Sequence, residues 1–236
     1  MDTADAINLT GVARRFGRRW ALRGITMRAS AGESLMLLGR NGSGKTTLLR
    51  VLSTSLAPTR GAGTVLGHAL GRSADRIRPL VAWLGHDPGL YGDLTGVENL
   101  RFSERMRRPI DGSATRDGRI AGALERVDLA AAGDERTRGY SAGMKRRLAL
   151  ARVLLAEPRL LLLDEPYASF DESGIQLVNE VVRAMREAGG CVVVATHDRE
   201  RSAEVATRAL RLEDGLLYDD ELGAVSSRSA VPGVYA

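Results

Sequence analysis

The sequence predicts an α/β protein, an alternating strand–helix core interrupted by a long helical stretch. Three observations predict it. An apolar run at 34–38 leads through a glycine-rich turn into a helix over about 45–55. From residue 160 the alternation returns, with strands at 160–163, 191–195 and 209–212 and a helix near 172–188. Between them, 95–129 is rich in Arg, Glu and Ala at helical spacing. Strand-turn-helix repeats are the unit of a layered α/β sheet.

Taken in order, short strands are expected at 6–14, 24–29, 34–38, 64–66 and 81–84. The helical stretch includes a loop around 109–112, and a second helix follows Ser141. The expected organisation is one domain over 1–223, with a core of 1–85 and 156–223 and a helical insertion over about 86–155. Residues 224–236 are small and polar and read as a poorly ordered tail.

A chain that is 44% hydrophobic and 27% charged is globular rather than disordered. No apolar run approaches the roughly 18 to 20 residues of a spanning helix. The acidic start Met1-Asp2-Thr3-Ala4-Asp5 lacks the pattern of a signal peptide, so a cytoplasmic protein is expected. Cys191, the sole cysteine, lies in an apolar run and reads as a buried, inert thiol. The net charge of +5 comes from arginines interleaved with acids, which reads as a solvated surface. No nucleic-acid partner is expected.

Gly39-Arg40-Asn41-Gly42-Ser43-Gly44-Lys45-Thr46 matches the phosphate-binding pattern G-x-x-x-x-G-K-[ST]. Glycines let successive N–H groups turn toward phosphate oxygens, and the following helix adds its positive end. Lys45 supplies a compact cation, while the Thr46 hydroxyl suits Mg²⁺. Lys45 is one of only two lysines in an arginine-rich chain. It stands where a flexible point charge fits better than a planar fork. ATP and Mg²⁺ are the cofactors this segment implies.

The run Leu160-Leu161-Leu162-Leu163-Asp164-Glu165 ends an apolar strand in two carboxylates. Alone it could be a buried strand capped by solvated acids; beside a P-loop it reads as a Walker B segment. Neighbouring strand side chains point oppositely. Asp164 is therefore expected to face the metal and Glu165 a water, as general base. His197 follows the strand at 191–195, at the end where α/β sheets bind ligands. A γ-phosphate contact is expected there.

Tyr140-Ser141-Ala142-Gly143-Met144-Lys145-Arg146-Arg147 is a loop, a serine N-cap and a helix. Lying between the P-loop and Walker B, it resembles the signature segment of the ABC ATPase family, over residues 6 to 215. Ser141 and Gly143 match that motif; Tyr140, Ala142 and Met144 depart from its commonest form. A positive φ at Ala142 would cost about 1 kcal/mol. The resemblance implies a P-loop NTPase (RecA-like) core with an antiparallel β subdomain and a helical insertion subdomain. It implies nucleotide contacts from Phe16, which would stack on adenine, and from Gly39, Asn41, Gly42, Ser43, Gly44, Lys45, Thr46 and Thr47. Ser141, Gly143 and Asp171 of the D-loop would act across a head-to-tail dimer, a homodimer or a paired ATPase subunit. His197 matches the switch histidine. A separate integral membrane transporter subunit is the expected partner, docking near residues 86–100.

Where the family usually has a glutamine, this chain has His86, in Gly85-His86-Asp87-Pro88-Gly89-Leu90-Tyr91. That form resembles the haem-exporter ATPases of cytochrome c maturation. Drug- and sodium-exporting ATPases share much of the chain, including Gly89-Leu90-Tyr91. Either His86 packs in a loop, or its imidazole replaces the amide beside the attacking water.

Overall fold

The structure, a computed structural model, describes residues 5–107 and 113–222. The loop expected at 109–112 and the tail expected from 224 lie outside the described residues. The chain divides into two compact units, the first within 1–83, 158–166 and 182–236, the second within 84–157 and 167–181.

The first unit contains two sheets. β1 (Asp5–Phe16), β2 (Arg19–Ser30), β4 (Arg60–Val65) and β5 (His68–Ala69) form an antiparallel sheet in the order β2-β1-β4-β5. β3 (Ser34–Leu38), β6 (Val81–Leu84), β7 (Leu160–Asp164), β8 (Cys191–Thr196), β9 (Arg208–Glu213) and β10 (Leu216–Asp220) form the other, in the order β10-β9-β3-β8-β7-β6. In it β3 pairs in parallel with β8 and β9, and β7 with β8.

Every residue of β3, β7 and β8 is buried. A parallel sheet covered on both faces requires such near-continuous apolar strands. Alternation still sorts them: Leu35 and Leu37 join the main core with Ile7, Leu9 and Ile25, whereas Met36 and Leu38 pack with Ala209 on the other side. Helix α1 (Lys45–Leu52) sends Leu48, Leu49 and Leu52 into the main core. Truncating Leu49, which is fully buried, to Ala would cost about 2–5 kcal/mol. The short helices α2 (Ala74–Ile77) and α7 (Arg199–Ala203) complete this unit; Asp198 caps α7 by accepting from the Arg201 N–H at 3.2 Å.

β1 and β2 are longer than their apolar cores suggest. Pairing carries both out to Phe16↔Arg19, where Gly17 turns the hairpin with φ +56°. The arginine-rich ends gain their order from cross-strand pairing rather than from burial.

In the second unit, α3 (Gly96–Arg107), α4 (Ser113–Arg126) and α5 (Ala142–Ala156) bury Leu100, Ile120, Leu124 and Leu148. Thr95 and Glu98 form a capping box on α3: the Thr95 N–H donates to Glu98 at 2.8 Å, and the Glu98 N–H to the Thr95 hydroxyl at 3.1 Å. The buried Glu104 carboxylate accepts from Arg119, which also donates to the Leu155 carbonyl at 2.9 Å. Its charge is thereby compensated. α6 (Glu172–Glu187) begins in this unit.

Candidate functional site

Strand order decides where the chemistry collects. β8 lies between β3 and β7, with Leu38 opposite Thr196 and Asp164 opposite Ala195. The P-loop, the Asp164-Glu165 pair and His197 therefore leave three adjacent strands at their carboxyl ends, the side where such sheets bind ligands.

The P-loop closes on itself. Lys45, only 6% exposed, donates from Nζ to the Gly39 carbonyl at 2.6 Å. Gly44 has φ +114°, and a Cβ there would lie 2.6 Å from the Ala21 carbonyl oxygen. A side chain at Gly39 would collide with the Leu212 carbonyl and the Ser43 hydroxyl. Helix α1 starts with no side-chain cap, and Ser43 Oγ is buried without a hydrogen-bond partner. Uncapped amides and an orphan hydroxyl are the donors an anionic ligand would satisfy.

Thr46 Oγ1 donates to Asp164 Oδ2 at 2.7 Å, placing two hard oxygens side by side. Asp164 is 4% exposed. The next residue breaks the strand: Glu165 has φ +49°, in the left-handed region, and its N–H donates to the Ala195 carbonyl at 2.8 Å. The strand ends at Asp164, so strand alternation does not govern Glu165; this turn does. Holding a glutamate there costs about 1–2 kcal/mol. Three groups fix it. Glu165 Oε2 accepts from Thr196 Oγ1 at 3.1 Å and lies 2.9 Å from His197 Nδ1, while Oε1 lies 3.5 Å from Lys45 Nζ. An ionised carboxylate only accepts, so the bond to His197 requires the proton on Nδ1. Oε1 has no hydrogen-bond partner.

A cleft of about 400 Å³ is lined by P-loop residues including Lys45, Thr46 and Thr47, and by Asp164, Glu165 and Phe16. Phe16 is 48% exposed at the hairpin tip.

In the second unit, Ser141 caps α5, its Oγ accepting from the Met144 N–H at 3.2 Å. Ala142 is the first helical residue and is not among the positive-φ residues, so the strain considered for it does not arise. Gly143 has the Ser169 carbonyl 3.6 Å from where a Cβ would stand. Asp171 caps α6 by accepting from the Gly174 N–H at 2.9 Å and the Ser173 hydroxyl at 3.0 Å; those bonds, with Arg147 nearby, hold its carboxyl below the usual range. Arg147 ties the two segments together, donating to Ser173 at 2.7 Å and lying 3.4 Å from Asp171. His86 is exposed on a loop gripped by α5. Arg146 donates to the Gly85 carbonyl at 2.7 Å, and Arg152 to those of Pro88 and Gly89 at 2.8 and 2.9 Å.

Residues 22–168 match the ABC transporter family. The chain belongs to that family. Among similar proteins, the cytochrome c biogenesis ATP-binding export protein CcmA of Xanthomonas campestris is 43% identical over 80% of this chain and 85% of its own length. The protein of that name from Shigella flexneri is 35% identical over 82% and 90%. The daunorubicin resistance ATP-binding protein DrrA3 of Streptomyces coeruleorubidus is 38% identical over 89% of this chain and 66% of its own. A solved dimeric ATP-binding cassette in a post-hydrolysis state with ADP and Pi shares the fold at TM-score 0.80 and 24% identity, over 89% of this chain and 95% of that one.

This ABC protein is therefore an ATP-binding, ATP-hydrolysing subunit, with a P-loop NTPase fold. Its first unit gathers Phe16, the P-loop through Thr47, Asp164, Glu165 and His197. Ser141, Gly143, Asp171 and His86 belong to the second. Sequence reasoning missed Thr196, whose hydroxyl bonds Glu165 and accepts from the Asp198 N–H at 3.0 Å. The only signal was a polar residue ending an apolar strand just before His197. Among the described residues, no helix is long and apolar enough to cross a membrane.

Proposed function

We propose that this ABC subunit powers export in cytochrome c biogenesis, with haem as the cargo of a separate integral membrane subunit. The observation that carries this reading is the 43% identity with an export ATPase of that name. The Gly85-His86-Asp87-Pro88-Gly89 segment supports it. The 38% identity with a daunorubicin resistance protein favours drug export as a second reading. Residues 1–223 would act as one ATPase domain, peripheral on the cytoplasmic face of the membrane. Two copies would pair head to tail, Ser141, Gly143 and Asp171 of one facing the ATP of the other.

Within the site, P-loop amides and Lys45 would bind the triphosphate, and Phe16 the adenine. The oxygen-only pair Thr46–Asp164 fits Mg²⁺, a hard cation that keeps waters and phosphate oxygens for its remaining positions. When bound, Mg²⁺ supplies charge neutralisation at the phosphates. Glu165 would be the general base. Oε2 is engaged by Thr196 and His197, which leaves Oε1 to accept the proton of the attacking water. His197 and Thr196 orient that carboxylate. His86, on its clamped loop, would bond the attacking water in place of the family's amide. Haem staining of c-type cytochromes, in cells whose own copy is replaced by wild type or Lys45→Ala, tests the cargo. Loss of c-type cytochromes with Lys45→Ala is expected. Normal cytochromes with lost daunorubicin tolerance would favour the second reading.

A further inference from the structure

The tip of the β1–β2 hairpin holds an arrangement that no nucleotide contact above explains. Arg14 lies with its guanidinium carbon 4.8 Å from the centre of the Phe16 ring, and its Nη1 donates to the Ala57 carbonyl at 2.9 Å. Two further bonds tie the same stretch of β1 to the segment after α1. The Arg15 N–H donates to the Thr59 hydroxyl at 3.1 Å, and the Thr59 N–H to the Ala13 carbonyl at 2.8 Å. Arg14 Nε is buried with no hydrogen-bond partner. The guanidinium is thus partly stripped of water against an aromatic face, the setting in which a cation–π contact is strongest.

A hairpin tip is ordinarily among the least stable parts of a sheet. A ring placed there would swing unless something held it. Gly17, next in sequence, has positive φ and open space around it, so the turn itself offers no support. With a cation over one face, and the ring still 48% exposed and lining the cleft, the opposite face is the one left to a ligand.

We propose that Arg14 is a positioning residue for the nucleotide base. It fixes the Phe16 ring through the cation–π contact and the bond to Ala57, so that a purine stacks on the other face without first ordering the tip. This rests on the reading that Phe16 receives adenine. Preorganisation of this kind improves affinity without a new contact to the ligand.

The test compares dissociation constants for ATP and for inorganic tripolyphosphate, which has no base, on the full chain. Arg14→Met should weaken ATP by about two- to five-fold and leave tripolyphosphate unchanged. Arg14→Lys, which keeps the charge but not the planar fork, should fall between Arg14→Met and wild type. In a Phe16→Ala background Arg14→Met should have no further effect. Equal weakening of ATP and tripolyphosphate would overturn the inference, because Arg14 would then act through the phosphate cradle. If Phe16→Ala weakens ATP while both Arg14 variants leave it unchanged, the inference fails and base stacking stands. If Phe16→Ala itself leaves ATP binding intact, the stacking reading fails instead.

Discussion

His197 Nδ1 lies 2.9 Å from Glu165 Oε2, so the histidine holds one oxygen of the carboxylate while the other points at Lys45. The triphosphate would compete with Glu165 for that lysine. Binding substrate would then release the base at the moment it is needed.

Glu165→Gln should therefore bind ATP no more weakly than wild type, because the amide no longer competes for Lys45. Its turnover should fall by about 10²–10⁴-fold, the usual contribution of a general base. Steady-state hydrolysis and equilibrium binding on the same preparation check both halves.

His197→Ala removes the donor that orients Glu165 but leaves the phosphate cradle untouched. It should lower kcat by about ten-fold or more with KM within a few-fold, since the orientation is needed only in the reaction. A rise in KM at unchanged kcat would instead place His197 in ground-state binding.

Lys45→Ala deletes a nearly buried cation aimed at phosphate. The loss of a charged hydrogen bond of about 1.5–3 kcal/mol corresponds to roughly 10- to 100-fold in the dissociation constant. Lys45→Arg should fail as well, because a planar fork does not reproduce the compact cation that bonds the Gly39 carbonyl. Nucleotide titration of both variants checks this.

The phosphate cradle was legible because glycine spacing, lysine and threonine each answer to one physical demand. The strands expected at 34–38, 160–163 and 191–195 are legible because parallel strands buried on both faces must be apolar throughout; β7 and β8 each run one residue further, to Asp164 and Thr196. A strand at 209–212 is legible, but its hairpin partner β10 is not, although Asp214 and Gly215, with φ +48° and +78°, carry a turn signal that alternation around them would have strengthened. Strand alternation does not extend to Glu165, because the strand ends at Asp164 and no local pattern announces a left-handed glutamate. Thr196, Arg14 and the arginine grip of α5 on the His86 loop depend on contacts between residues far apart in sequence. A single sequence does not display those.

Burial in β8 pushes the Cys191 thiol up to about 12. A raised folded value means the stability contribution is complete below the unfolded thiol's value of about 8.5, and is lost between there and about 12. At pH 8 the native protein should resist thiol alkylation, with labelling proportional to the unfolded fraction in a urea series. Rapid labelling in the absence of denaturant would contradict the burial.

On the proposed function, two chains close around ATP, with Ser141 of one completing the site of the other. Light scattering of Glu165→Gln, alone and combined with Ser141→Arg, tests it most directly. With ATP and Mg²⁺, Glu165→Gln should show twice the monomer mass, and with ADP the monomer mass. The added Ser141→Arg should abolish the dimer while ATP binding to the monomer persists. A Glu165→Gln chain that stays monomeric with ATP bound, or a dimer indifferent to Ser141→Arg, would contradict the account.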